Sequence, residues 1–291
     1  MPRTAIMADS NCGIMPEEES HYGIHILPMP IIIDGKTYFE GIDITMEEFY
    51  QKQTSGSVIT TSQPSPGDVT DMWDLLLKAH DEIVFIPMSS GLSNTCQTAL
   101  LLAEDELYKG RVFVVDNHRI SVTQALAVLD AKALADDGRT AREIKEILEQ
   151  EAMDATIYIA VDTLEYLKKG GRITAAAAAL GTILKLKPIL TIQGDKLDSY
   201  AKARGMKSAF RVMLEALKSD IASRLSHLRE KGLLKIGIAN TMMDPDKLEI
   251  FKAELKKNFP DMELVYFPLT MSIGTHVGPG GIGIGAFDFS D

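Results

Sequence analysis

The chain has 291 residues, 45% of them apolar and 24% charged, with a formal net charge of −11. That length and apolar content suffice for two α/β domains with real cores. The acidic balance sets aside nucleic acid and anionic bilayers as main partners, because both repel it. Two cysteines, Cys12 and Cys96, are too few for a disulfide framework and point to a reducing compartment. No segment approaches the ~20 apolar residues that span a bilayer. The first residues read as a strand entering a loop, not as a signal peptide. The expectation is a cytoplasmic protein with no stable membrane insertion.

In chain order, apolar runs predict strands at 4–8, 29–33, 83–86 and 112–115. Asp34-Gly35 marks a hairpin turn after the second. Helices are expected after Thr45, where Thr-Met-Glu-Glu forms a capping box, after Ser65, Ser93 and Ser121, and over 140–151. Short strands alternating with helices predict a mostly parallel, Rossmann-like sheet over residues 1–155. The remainder, 156–291, reads as an α+β domain. It has a strand at 156–161, helices at 164–169 and 175–184, and a hairpin around Gly194-Asp195. A long helix carries Met206, Phe210, Met213, Leu217, Ile221, Leu225 and Leu228 at spacings of three and four. A strand at 234–239, a helix after Asp244-Pro245 and a strand at 263–268 follow.

Three loops place hydroxyls directly after apolar strands. They are Asp9-Ser10-Asn11-Cys12, Thr60-Thr61-Ser62-Gln63-Pro64-Ser65, and Ser89-Ser90-Gly91-Leu92-Ser93-Asn94-Thr95. Ligands of doubly wound sheets sit outside the carboxyl ends of the strands, and helix N-termini suit anions. Taken singly, Ser65, Ser93 and Ser121 are better explained as N-caps. A fourth stretch, 274–283, contains a formal G-x-G-x-x-G from Gly278 to Gly283. Only eight residues follow it, too few for the helix and acidic residue of a dinucleotide site. Its glycines then serve close approach of backbone to a ligand or a neighbouring strand. His276 lies in that stretch. His21 and His25 lack a third ligand, which argues against a metal site. A hydrolase pair of Ser93 with His276, with Asp9 as orienting acid, is an alternative, but Gly91–Thr95 lacks the last glycine of a nucleophile elbow.

Taken together, these stretches resemble the DegV family, the fatty-acid-binding component of bacterial fatty acid kinase systems. The resemblance is carried by Asp9-Ser10-Asn11-Cys12, Ile33-Asp34-Gly35-Lys36-Thr37-Tyr38, Thr61-Ser62-Gln63-Pro64-Ser65-Pro66-Gly67, Ser89-Ser90-Gly91-Leu92-Ser93, Leu164-Glu165-Tyr166-Leu167-Lys168-Lys169-Gly170-Gly171-Arg172-Ile173 and Lys187-Pro188-Ile189-Leu190. It implies a non-catalytic lipid carrier that needs no cofactor. A fatty acid carboxylate would meet Thr61 and Ser93 with His276 close by, and the acyl chain would enter an apolar tunnel. The candidate ligand residues are Thr61, Ser62, Ser93, Asn94, His276 and Gly278. The resemblance also implies a separate ATP-dependent kinase subunit that makes acyl phosphate for phospholipid synthesis. Arg204 stands where the family meets the kinase, although Gly205-Met206 departs from the usual residues. Neutral hydroxyls are expected to hold the carboxylate without neutralising it. Met242, Met243, Met262 and Met271 suit a flexible tunnel lining or ordinary core packing equally well, and the Ala175–Ala179 run suits space beside an acyl chain or simple helix propensity. Basic side chains concentrate from Lys168 to Lys207, which reads by default as a solvated surface and alternatively as a docking face for an acidic kinase or anionic lipid.

Overall fold

A computed structural model describes residues 2–179, 186–192 and 196–289. The chain runs β1 (Thr4–Asp9), α1 (Glu19–Tyr22), β2 (His25–Leu27), β3 (Pro30–Ile33), β4 (Lys36–Phe39), α2 (Met46–Thr54), β5 (Ile59–Thr61), α3 (Pro66–Leu76), β6 (Glu82–Ile86), α4 (Thr95–Ala103) and β7 (Val112–Val114). It continues through α5 (Val122–Asp136), α6 (Ala141–Gln150), β8 (Ala155–Ala160), α7 (Glu165–Gly170), α8 (Ala175–Ala178), β9 (Leu186–Ile192), β10 (Asp198–Arg204), α9 (Met206–Ala222) and α10 (Ser226–Glu230). β11 (Leu234–Asn240), α11 (Pro245–Asn258), β12 (Leu264–Tyr266), α12 (Met271–Val277) and β13 (Ile282–Asp288) complete it. The helix expected to 184 is seen as α8, and its remainder, 180–185, lies outside the described residues, as does the Gly194-Asp195 turn.

A parallel sheet of order β2-β1-β6-β7 forms the first layer. β1 and β6 are apolar on both faces because helices cover both, as parallel strands require. Trp73 of α3 packs edge-on to Phe85 of β6 with ring centroids 6.2 Å apart. On the other side α5 and α6 bury Leu126, Ile144 and Leu148 against Ile6 and Val84. The strand expected at 29–33 does not join this sheet. It pairs antiparallel with β4 and β5 in a separate three-stranded sheet. The cause is local: Asp34 and Gly35 both take positive φ, 50° and 83°, and turn the chain straight back on itself. β2, only three residues long, is the edge strand that the apolar pattern did not reveal.

The second sheet has six strands in the order β10-β9-β8-β13-β11-β12, antiparallel except for the β11–β12 pair. Its mixed character fits the α+β expectation. Helices α9 and α11 bury Phe210, Met213, Leu217, Phe251 and Leu255 on one face. The long helix is broken: α9 stops at Ala222, and Ser223 leaves helical geometry at φ −119°, ψ −89°. Its hydroxyl donates to the Ser219 carbonyl at 2.6 Å, a local bond that competes with the helix. Leu225 and Leu228 stay in the same core across the break, which is why the apolar spacing ran on without interruption.

The glycine-rich end is a helix followed by a strand, the reverse of a dinucleotide fold. β13 runs between β8 and β11 at the centre of the sheet. A Cβ on Gly285 would stand 2.6 Å from the Thr156 carbonyl oxygen, so strand-to-strand approach accounts for that glycine. Among the described residues no helix is long and apolar enough to cross a membrane.

Candidate functional site

An internal cavity lies between the strand-end loops of the parallel sheet and the inner face of the six-stranded sheet. Its water-accessible volume is about 100 Å³, and the atom-free space, open solvent at the mouth included, is about 910 Å³. One wall comes from the loops: Asn11 after β1, Thr61, Ser62 and Gln63 at the end of β5, and Ser93 before α4. The opposite wall comes from alternate residues of strands, Ile157 and Ile159 of β8 and Ile192 of β9. Successive strand residues face opposite ways, so Tyr158 between them turns to the α9 core instead. Helix α12 closes the cavity with Ser272, Ile273, His276 and Val277.

Thr61 and His276, 215 residues apart, meet at the mouth, with Thr61 Oγ1 2.8 Å from His276 Nε2. α12 is held in place along its length. Buried Glu40 accepts from Ser272 N at 3.1 Å at its start, and Gln53 Nε2 donates to the Gly274 carbonyl at 3.0 Å. Gly170, the last residue of α7, presses against the imidazole: a Cβ there would lie 2.1 Å from His276 Nδ1. The Lys-Lys-Gly-Gly-Arg run therefore needs its first glycine for space. Burial pushes the His276 imidazole down to about 4, and the Arg172 guanidinium adds to this. At neutral pH the ring is uncharged.

Arg172 is a charged lining residue that sequence reasoning did not assign to the site. Half-buried, it donates through Nε to the Leu92 carbonyl at 3.4 Å and through Nη1 to the Gly170 carbonyl, and it lines the cavity beside His276. A cation therefore stands beside the hydroxyls and imidazole expected there. Its motif was visible in the sequence, but nothing in a lone Gly-Gly-Arg says which way the side chain turns.

Of the six residues singled out, Thr61, Ser62, Ser93 and His276 line the cavity. Asn94 does not: it is exposed at the start of α4. Gly278 does not line it either. It sits at φ 75° against Tyr166, where a Cβ would meet the ring at 2.4 Å. Arg204 ends the edge strand β10 with its side chain exposed. Of the two readings open for the late methionines, tunnel lining is not the one seen. The lining methionines are Met29 and Met88, while Met262 belongs to the α9 core, Met271 packs with Phe49, and Met242 is exposed. Ala177 of the alanine run packs into the apolar cluster behind the cavity and does not line it.

The hydrolase arrangement is not assembled. Ser93 Oγ lies 2.8 Å from Thr95 Oγ1 and accepts from Thr95 N at 3.2 Å, whereas His276 Nε2 engages Thr61. Asp9 is committed elsewhere, accepting from Met88 N at 2.8 Å and from Asn11 and Gln124. It joins the β1 and β6 loops. Among the described residues no cluster of three metal-binding side chains occurs.

The fold and this site define a class: a two-sheet α/β protein enclosing an apolar cavity whose mouth carries hydroxyls, an imidazole and a guanidinium. A family model described as "Uncharacterised protein, DegV family" matches residues 3–288, and the chain belongs to the DegV family. A DegV domain-containing protein of Caldanaerobacter subterraneus is 32% identical, with 98% of each chain covered. A DegV family protein of Thermus thermophilus, described for its fatty acid binding, superposes with a TM-score of 0.88 at 30% identity, covering 99% of this chain and 100% of that one. DegV of Bacillus subtilis, described as a fatty acid binding protein, gives 0.84 at 28% identity, with 99% and 100% covered.

Proposed function

We propose that this protein binds a long-chain fatty acid without chemical change and presents its carboxylate to a separate kinase. The observation that carries the reading is the grouping of Thr61, Ser93, Arg172 and His276 on a cavity whose remaining lining is mostly apolar, with Ile, Leu, Val and Met side chains predominating. A sixteen-carbon acid would bury about 15 carbons beyond the carboxyl, worth roughly 12 kcal/mol gross before ordering costs. Dehydrating the carboxylate costs several kcal/mol unless it is hydrogen-bonded. Thr61 and Ser93 would donate to it, and Arg172 would supply the positive charge that neutral His276 does not. The two structural neighbours described as fatty acid binding support the same reading.

Held at the mouth, a carboxylate oxygen would attack the terminal phosphorus of ATP carried by the kinase subunit. An acyl phosphate and ADP would form, and the product would feed phospholipid synthesis in the cytoplasm. Exposed Arg204 on the edge strand is our candidate for the kinase contact. The division of labour we infer runs along the chain: 1–155 supplies the head-group loops, and 156–291 supplies the apolar wall and α12.

Native mass spectrometry of freshly purified protein, followed by denaturation and lipid analysis, tests the first step. One fatty acid per chain is the expected result. Clean protein that also refuses added long-chain acids overturns it. Addition of ATP and a fatty acid kinase subunit tests the second step, and acyl phosphate formation should fall when Arg204 is replaced by Ala.

A further inference from the structure

Three serines open helices near the cavity, and their hydroxyls do different things. Ser65 caps α3 by accepting from Asp68 N at 3.1 Å. Ser93 accepts from Thr95 N. Ser121 opens α5 but makes no side-chain cap. It is 6% exposed and lines the cavity, and its Oγ has no hydrogen-bond partner among the described residues. A buried hydroxyl facing an apolar space is unfavourable unless an occupant supplies the missing partner.

The polar groups around Ser121 are already committed. Its backbone N–H donates to the Asn11 carbonyl at 3.0 Å. Asn11 Oδ1 accepts from Ser272 Oγ, and Asn11 Nδ2 donates to Asp9 Oδ1 at 3.0 Å. This patch is separate from the carboxylate mouth. Ser272 and His276 stand near opposite ends of α12, four residues or about 6 Å of helix rise apart. The groups behind the patch, Asp9 and Glu40, are buried carboxyls. Neither supplies the positive charge that a second carboxylate would need, whereas a neutral oxygen is tolerated.

We propose that Ser121 is a second polar station, which reads a neutral oxygen substituent on the acyl chain. The preferred ligands are then hydroxylated long-chain fatty acids. This rests on the fatty acid reading above and narrows it. The helix-capping role is left undone at a serine that lines the cavity and whose hydroxyl has no other partner among the described residues.

The test is direct binding of palmitate and of hydroxypalmitates, with the hydroxyl at successive positions, to the delipidated full chain. One internal position should bind about tenfold tighter than palmitate, the worth of one good hydrogen bond. That ratio should fall to about one in Ser121→Ala. Ser121→Gly is the second variant. It also lacks the hydroxyl, and glycine takes the φ of 57° at this position without strain. A flat series in the unmodified protein, or a preference that survives in both variants, overturns the station. Palmitate binding with a flat series leaves the carrier reading standing, whereas failure of every acid to bind overturns both.

Discussion

The cavity wall made by strand-end loops carries Asn11, Thr61, Gln63 and Ser93, whereas the wall made by the six-stranded sheet carries Ile157, Ile159 and Ile192. The first wall is short-range chemistry, in which hydroxyls and amides follow apolar strands in three separate loops. The second is a continuation of the core. Tyr158 and Ile159 are neighbours in the chain and both are buried, yet one faces helices and the other faces the cavity. Affinity comes mainly from the second wall and orientation from the first, so the two should respond differently to substitution.

The largest effect is expected on the apolar wall. Ile159→Trp fills tunnel volume, and losing room for three or four methylenes at ~0.8 kcal/mol each weakens long-chain binding by about 100-fold. Shorter acids should lose less, so the comparison to make is a chain-length series by titration. An equal loss at all lengths would place Ile159 outside the acyl path.

Beneath the polar wall, Glu40 should show itself in stability. Burial raises its carboxyl from 4.5 to about 7, while it accepts from Ser10 Oγ at 2.5 Å and from Ser272 N. A raised carboxyl pKa means that the folded state holds the proton longer than the unfolded state. Stability is therefore full below about 4.5 and declines as pH rises through about 7, by about 3 kcal/mol. Glu40→Gln resembles the protonated form and should remove that part of the slope. Denaturant titrations at several pH values would show it, and parallel profiles for the two proteins would refute it.

On the polar wall itself, Thr61→Ala deletes one donor to the carboxylate. A hydrogen bond to a charged group is worth about 1.5 kcal/mol, so affinity should drop about tenfold at every chain length. This uniform loss contrasts with the graded one from Ile159. A length-dependent loss at Thr61 would erase the distinction between the walls.

The difference between the walls also explains what could be read in advance. The 4–8 and 83–86 strands, the capping box at Thr45 and the Asp34-Gly35 turn are set by neighbours within a few residues, and all appear. Thr61, Ser93 and His276 were found through loop chemistry and family likeness. Met29, Ile157 and Ser121 were not, because apolar period and capping residues look the same whether they face a helix or a cavity. β3 left the main sheet because the Asp34-Gly35 turn folds β4 straight back onto it, while β5, distant in sequence, takes its other edge. α12 was hidden because its Gly274 is set by packing: a Cβ there would stand 2.7 Å from the Tyr50 hydroxyl.

The smallest change tests where the walls meet. Gly170 has an ordinary helical backbone, absent from the positive-φ positions, so alanine there should gain up to about 1 kcal/mol of helix propensity. Its Cβ would nevertheless collide with His276 Nδ1 and force the ring away from Thr61. The expected outcome for Gly170→Ala is a protein of nearly unchanged stability whose fatty acid affinity falls a few-fold, as one neutral hydrogen bond is weakened. The imidazole resonance reports the cause. In the unmodified protein His276 should titrate near 4, and in the variant its midpoint should move towards 6.5 as the ring leaves its buried seat. A midpoint that stays low together with full affinity would mean that α7 yields instead of the histidine, and that the glycine is not what seats the ring at the mouth.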